Sequence, residues 1–244
     1  MGDREAERAA ARDWVGWHRS YDDPNTGLSW RLGVVRSWIQ RSVDGSPPGP
    51  VRVISMCAGQ GRDLIGALAG HHRRGDVAAR LVELDPRNAE VARHLASEAG
   101  LAGVEVVIDD AGNTSAYEGA VPADLILVCG VFGNIGDEDI ETTVAALPGL
   151  AAPGATVIWT RHTRHPDLTG QIRAWFAQAG FDELAFEKRP KGPQSLATDP
   201  LAGAQSVGAN RLSGSTKPFR PGRTLFRFVG YDKLQDSAAA PRTP

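Results

Sequence analysis

Residues 51–63, VRVISMCAGQGRD, run from an apolar segment into a glycine-rich turn and stop on two charges. A strand that ends in such a turn and leads into a helix is where an α/β protein lets a ligand approach its backbone. Three ligands compete for it. A phosphate-cradling loop requires a Lys after its last glycine, and none follows here. A dinucleotide turn carries a third glycine for tight helix–strand packing beside a pyrophosphate, and Leu64 occupies that position after Gly59 and Gly61. The third reading is a nucleoside without phosphates.

Outward from the turn, apolar runs at residues 51–57, 79–84, 104–108, 124–129 and 156–160 alternate with helical stretches at 64–72, 86–99, 137–146 and 167–179. Apolar strands alternating with amphipathic helices indicate a parallel sheet covered on both faces. Two more strands are expected at 181–186 and 224–231. The second has no helix before it and is expected to run antiparallel. Upstream, residues 4–18 read as a helix, Pro24 breaks it, and a second helix starts near Thr26 with Leu28, Leu32, Val35 and Ile39 on one face. The linker DGSPPGP ends this unit. The expected division is a helical cap at 1–46, a catalytic domain at 47–233 and a loose tail at 234–244. Residues 189–222, rich in Pro, Gly and Ser, read as a long loop closing over a substrate, with SVGANRL a candidate short strand.

The chain has 244 residues, 41% of them hydrophobic and 23% charged, which suits one globular domain. Its net charge of −2 gives no global case for nucleic acid or an anionic membrane. Residues 161–233 carry 12 Lys and Arg against 6 Asp and Glu, a solvated basic face or a docking surface for an anion. The N-terminus has no apolar core after its charges, and no run is long enough to span a bilayer. The expectation is a cytoplasmic protein without a membrane partner. No metal site is assigned.

The second strand ends at Asp85, where a carboxylate beside the glycine turn can accept ribose hydroxyls. The third ends at Asp109 and Asp110, where an anion can meet the adenine amino edge. Carboxylates at both strand ends, with no Lys in the turn, suit a nucleoside carrying a positive sulfonium and suit a pyrophosphate poorly. VISMCAGQGRD, LVELDPRNAEVAR, VVIDDAGN and PADLILVCGVFGN together resemble the first four motifs of the class I S-adenosylmethionine-dependent methyltransferases. The resemblance covers residues 51–160. It implies a seven-stranded Rossmann-like sheet, mostly parallel with its last strand antiparallel, helices on both faces and an N-terminal helical cap. It implies S-adenosylmethionine as cofactor, with Ala58, Gly59 and Gly61 along its methionine part and Asp85 on the ribose. Asp110, beside Asp109 and Ala111, meets the adenine, and Gly130 and Phe132 lie along the cofactor after the fourth strand.

Cys57 departs from the family, which commonly places an acid there to help hold the cofactor's amino group. Asp63, Asp22 and Asp23 are the candidates to replace it. Cys57 and Cys129 are expected side by side as small packing residues, with a reversible disulfide the lesser alternative. Methyl transfer from a sulfonium needs in-line positioning and exclusion of water, so a general base is optional. His18, Tyr21 and His162 are the catalytic candidates, and Trp14, Trp17 or Tyr21 can face the sulfonium. Arg161 and Arg164 can grip a carboxylate or phosphate. CGVFGN stands where many amino-group methylators of adenine or glutamine carry an NPPY-like sequence. A small-molecule acceptor, anionic if the arginines hold it, is therefore favoured over RNA, and a homodimer is compatible with the sequence. The alternative reaction closes a ring within the cofactor's aminobutyrate chain and releases methylthioadenosine.

Overall fold

A computed structural model describes residues 21, 23, 26–190, 204–230 and 234. The expected helix at 4–18 with Trp14, Trp17 and His18 lies outside the described residues, as do Asp22, the middle of the long loop and residues 235–244. The elements are α1 (Gly27–Gly45), β1 (Val51–Met56), α2 (Arg62–Leu68), β2 (Val77–Glu83), α3 (Pro86–Glu98) and β3 (Val104–Ile108). They continue through β4 (Ala123–Val128), α4 (Asp137–Ala146), β5 (Ala151–His162), α5 (Thr169–Gln178), β6 (Phe181–Lys188) and β7 (Gln205–Leu212).

Local chemistry sets the helix ends. The Thr26 hydroxyl caps α1 by accepting from the Ser29 N–H, and Asp85 caps α3 ahead of Pro86 at its first position. Asp137, Glu138 and Asp139 fill the first turn of α4, where the helix dipole favours anions.

The seven strands form one sheet in the order β3-β2-β1-β4-β5-β7-β6. β1 to β5 pair in parallel, and β7 lies antiparallel between β5 and β6. The order reverses between β1 and β4. In open α/β sheets that switch point opens a crevice at the carboxyl ends of the strands. Helices α1, α2 and α3 cover one face through Val35, Ile39, Leu64, Leu68, Ala89 and Ala92, packed on Val53, Leu81 and Leu127. Helices α4 and α5 cover the other through Ile140, Val144, Ile172 and Phe176, against Ile126, Val157 and Trp159. Each buried Val, Leu, Ile or Phe contributes about 1.5–3 kcal/mol over its exposed state. No helix among the described residues is long and apolar enough to cross a membrane.

The seventh strand is not where the alternation at 224–231 put it. It is Gln205–Leu212, which contains SVGANRL, and residues 224–230 form no strand beyond one bridge between Asn113 and Thr224. β7 is buried along almost its whole length yet carries Ser206, Gly208 and Asn210. Partners distant in sequence make this possible. Asn210 Oδ1 accepts from Trp159 Nε1 at 2.8 Å, Ser206 Oγ donates to the Arg161 carbonyl at 2.8 Å, and Gly208 lies directly across from Trp159. Residues 217–230 instead form a strap on the α4 face. The β3–β4 connection there holds only a single turn, Thr114–Tyr117. The strap is tied by Thr114 N–H to the Arg223 carbonyl at 2.9 Å, Leu225 N–H to the Gly112 carbonyl at 2.7 Å and Val229 N–H to the Asn134 carbonyl at 2.9 Å. Leu225 and Phe226 are buried in the core beneath it. Burial does not follow the alternation: Leu225 and Phe226 are buried side by side while Phe228 and Val229 are exposed, so residues 224–230 touch the core at one point without strand pairing.

Candidate cofactor cleft

The glycine turn leaves β1 through Cys57, the one described non-glycine residue with left-handed backbone (φ 49°), followed by Gly59 (φ 57°) and Gly61 (φ 65°). A Cβ on Gly61 would lie 2.7 Å from Leu81 and 2.8 Å from Ile65, so the turn is pressed onto β2 and α2 and only glycine fits. Beneath it lies Glu83, the last residue of β2, only 9% exposed. Its Oε2 accepts from the Gly59 N–H at 2.7 Å and its Oε1 from the Asp85 N–H at 2.9 Å. Burial pushes its carboxyl pKa up, and the two backbone donors oppose that.

Asp85 points elsewhere. Its Oδ1 accepts from the Arg87 N–H at 2.9 Å, and its Oδ2 pairs with Arg87 Nη2 at 2.6 Å. The Arg87 side chain holds the Asp85 carboxyl below the usual range. Glu83 was absent from the site expected from sequence. The signal was present in VELD, which offers two carboxylates at one strand end.

Two large apolar side chains stand in solvent beside these acids. Leu84 is 66% exposed and Ile108, at the end of β3, is 46% exposed. Asp109 and Asp110 follow Ile108 and are exposed, while Ala111 is buried. Asp109 Oδ1 accepts from the Asp110 N–H at 2.7 Å, and Asp110 Oδ1 accepts from the Gly112 N–H at 2.8 Å. Beyond β4, Gly130 (φ 78°) donates its N–H to Thr160 Oγ1 at 2.8 Å, and Asn134 Nδ2 donates to the Gly130 carbonyl at 2.6 Å. Phe132 is buried against Trp159 and Phe176, so its ring belongs to the core.

Cys57 and Cys129 are both free thiols. The β1–β4 register, Ser55 opposite Leu127, extends to set residue 57 opposite 129. Their side chains nevertheless divide between the two faces, Cys57 packing with the α4 cluster and Cys129 with the α2 cluster. Burial raises both pKa values, so neither is a thiolate near neutral pH.

Near Cys129 three polar groups converge. Arg31, on α1, donates through Nη2 to the Tyr21 hydroxyl at 2.6 Å and through Nη1 to Gln205 at 3.4 Å. Asp63, in the first turn of α2, is close enough for its charge to act on both Tyr21 and Cys129. Burial raises the Asp63 pKa, and the Leu64 N–H, which donates to Oδ1 at 2.7 Å, opposes it together with the more distant Arg31 and Arg36. Burial likewise keeps the Tyr21 phenol protonated. His162 ends β5 next to Gly133. Burial, with Arg161 and Arg164 beside it, lowers its pKa to about 4. Arg161 is buried and donates to the Phe132 carbonyl, which ties β5 to the loop after β4.

Two features lie apart from this cleft. A groove of about 640 Å³ runs between α4 and residues 217–223 and contains none of the residues just described. Asp44, His71 and His72 cluster near the opposite edge of the sheet. The Arg73 N–H meets His71 Nδ1 at 3.2 Å, so the His71 proton sits on Nε2, directed at Asp44 3.3 Å away. His72 Nε2 lies 3.6 Å from the same Asp44 oxygen, so both histidines sit against that carboxylate.

A family described as "Putative methyltransferase" matches residues 27–182. No curated protein matches the chain by sequence. Among solved structures, magnesium protoporphyrin IX methyltransferase from Synechocystis PCC 6803, with bound SAH, is similar at a TM-score of 0.60 and 13% identity, over 81% of this chain and 92% of that one. A protein from Bordetella parapertussis described as exported is similar at 0.57 and 18%, over 79% and 68%. An N-methyltransferase from Bradyrhizobium japonicum WM9 is similar at 0.54 and 12%, over 80% and 99%. At these identities the likeness is one of fold.

Proposed function

Because the chain belongs to the methyltransferase family matched over residues 27–182, of the class I S-adenosylmethionine-dependent superfamily, we propose that the crevice at the ends of β1, β2 and β4 directs the cofactor's methyl group to a small-molecule acceptor. The observation that carries this reading is the Glu83 carboxylate lodged against the Gly59 N–H at the switch point of the sheet. In this reading Glu83 takes the ribose hydroxyls in place of Asp85, which caps α3. Leu84 and Ile108 sandwich the adenine, and Asp109 or Asp110 accepts from its amino group. Arg31 and Asp63 supply opposite charges for the carboxylate and ammonium of the methionine part. Asp63 thereby takes over the task that Cys57 cannot perform.

When bound, the cofactor supplies an activated methyl group. The protein's part is to orient the acceptor and exclude water. Neither described catalytic candidate is a strong base at neutral pH. The His162 pKa of about 4 leaves a neutral, weakly basic ring, and the buried Tyr21 phenol keeps its proton. The site therefore suits an acceptor that is already nucleophilic, such as a carboxylate, thiolate or neutral amine, whose proton, if any, leaves to solvent. Arg164, beside His162, favours an anionic acceptor.

Calorimetry with S-adenosylhomocysteine tests the cofactor, and mass spectrometry of products from S-adenosylmethionine with and without cell extract tests the reaction. Extract-dependent S-adenosylhomocysteine supports transfer. Methylthioadenosine from cofactor alone would replace transfer with ring closure, and no heat of binding would refute the cleft.

A further inference from the structure

Helix α2 carries an interior glycine, Gly66, at a position where glycine costs a helix about 1 kcal/mol relative to alanine. Its surroundings give the reason. A Cβ on Gly66 would lie 2.1 Å from Arg36 Nη2, 2.3 Å from Cζ and 2.5 Å from Nε. The guanidinium thus lies against the Gly66 Cα and reaches along the helix to the Arg62 carbonyl, where Nε donates at 3.0 Å and Nη2 at 2.6 Å. Arg62 is the first residue of α2, immediately after the glycine turn. The next residue, Asp63, is close enough to oppose the lowering of the Arg36 pKa by burial.

We propose that Arg36, seated in the notch that Gly66 leaves, is a positioning residue for the cofactor. It fixes the first turn of α2, and with it Gly59–Gly61 and Asp63, without touching the ligand. The inference rests on reading that turn as the S-adenosylmethionine site. A helix of seven residues is too short to hold its own start, because the nucleating turn is unfavourable by itself. The turn is pressed on one side by Leu81 and anchored by Glu83, and Arg36 holds the helix that leaves it. One turn further along α1, Gln40 Nε2 donates to the Ala67 carbonyl at 3.0 Å. That bond also docks α2 on α1, at the end remote from the glycine turn, so the two residues separate docking from positioning.

The experiment is calorimetric titration of S-adenosylhomocysteine into the full chain and into Arg36→Ala, Gly66→Ala, the double variant, Gln40→Ala and Arg36→Lys, each with a thermal melt. Arg36→Ala and Gly66→Ala are each expected to weaken binding about tenfold, the scale of a hydrogen bond from a charged donor. The double variant should bind no more weakly than Arg36→Ala, because Gly66→Ala acts only by evicting the guanidinium. Helix propensity alone would make Gly66→Ala stabilising, so a loss there comes from the notch. Gln40→Ala should melt lower and bind within about twofold of wild type. Arg36→Lys, which keeps the charge and loses the planar fork, should recover only part of the affinity. It decides the matter if an alanine variant does not fold: weakened binding at an unchanged melting temperature supports the role, and unchanged binding overturns it. Additive losses in the double variant, or a loss in Gln40→Ala equal to that in Arg36→Ala, also overturn it. Absence of heat with wild type would instead refute the cofactor reading beneath it.

Discussion

Replacing Glu83 with glutamine should cost cofactor affinity more than fold stability, and the structure gives the size. The two carboxylate oxygens accept from Gly59 N–H at 2.7 Å and Asp85 N–H at 2.9 Å. An amide offers one acceptor, so its NH2 must face one of those donors and leave it unsatisfied, a folding cost of about 1–3 kcal/mol that is the same with and without cofactor. The affinity loss comes from the charge-assisted bonds to the ribose, about 1.5–3 kcal/mol. At about 1.4 kcal/mol per factor of ten, S-adenosylhomocysteine should bind about 10- to 100-fold more weakly. Folding should change less, because burial raises the Glu83 pKa and a neutral side chain escapes that desolvation. Asp85→Ala should show the opposite pattern. Removing the α3 cap costs about 1 kcal/mol of stability, and the exposed Arg87 pair adds little. Cofactor affinity should then stay within about threefold. Calorimetry and thermal melts on both variants measure the contrast, and competition by adenosine against 2′-deoxyadenosine reads the ribose contact directly. The raised pKa adds a pH signature: affinity should begin to fall, on acidification, above the ordinary glutamate value of 4.5, and Glu83→Gln should lack that fall. A tenfold loss in Asp85→Ala alongside an unaffected Glu83→Gln would refute the assignment.

His162, with a folded pKa of about 4 against 6.5 unfolded, makes stability depend on pH. The folded value is depressed, so the unfolded chain binds a proton first and stability falls as pH drops from 6.5 towards 4. The loss is about 2 kcal/mol after allowance for solvent screening. Denaturant titrations across that range should show it in wild type and not in His162→Phe, and activity should have no inflection at pH 6.5. At the other face, Gly208→Ala would bring a Cβ within 2.2 Å of Trp159, whose ring stacks between Phe176 and Phe186. Overpacking of that kind costs about 1–3 kcal/mol, so the melting temperature should drop by about 3–10 °C.

The glycine turn, the alternation of strands and helices, and the carboxylates at two strand ends were legible because each is a local pattern. Turn chemistry depends on neighbouring residues, and a doubly covered parallel strand must be apolar over a short run. β7 was harder to recognise as a strand of the sheet. Its Ser206, Gly208 and Asn210 are tolerated in the interior only because Arg161 and Trp159 meet them there, about fifty residues away in the chain. The strap differs for the converse reason: its apolar residues suggest a strand, but a single backbone bridge pairs it, and core packing buries the neighbours Leu225 and Phe226 while Phe228 and Val229 stay exposed.

By itself the sequence determined the type of sheet and the glycine turn after its first strand, since apolar periodicity and glycine turns act over a few residues. Tertiary structure decided which carboxylate of the VELD segment turns inward, because Arg87 draws one away and the Gly59 N–H donates to the other. It also decided why Gly66 is a glycine, because its partner Arg36 comes from a separate helix. Such choices depend on groups that meet only when distant segments pack.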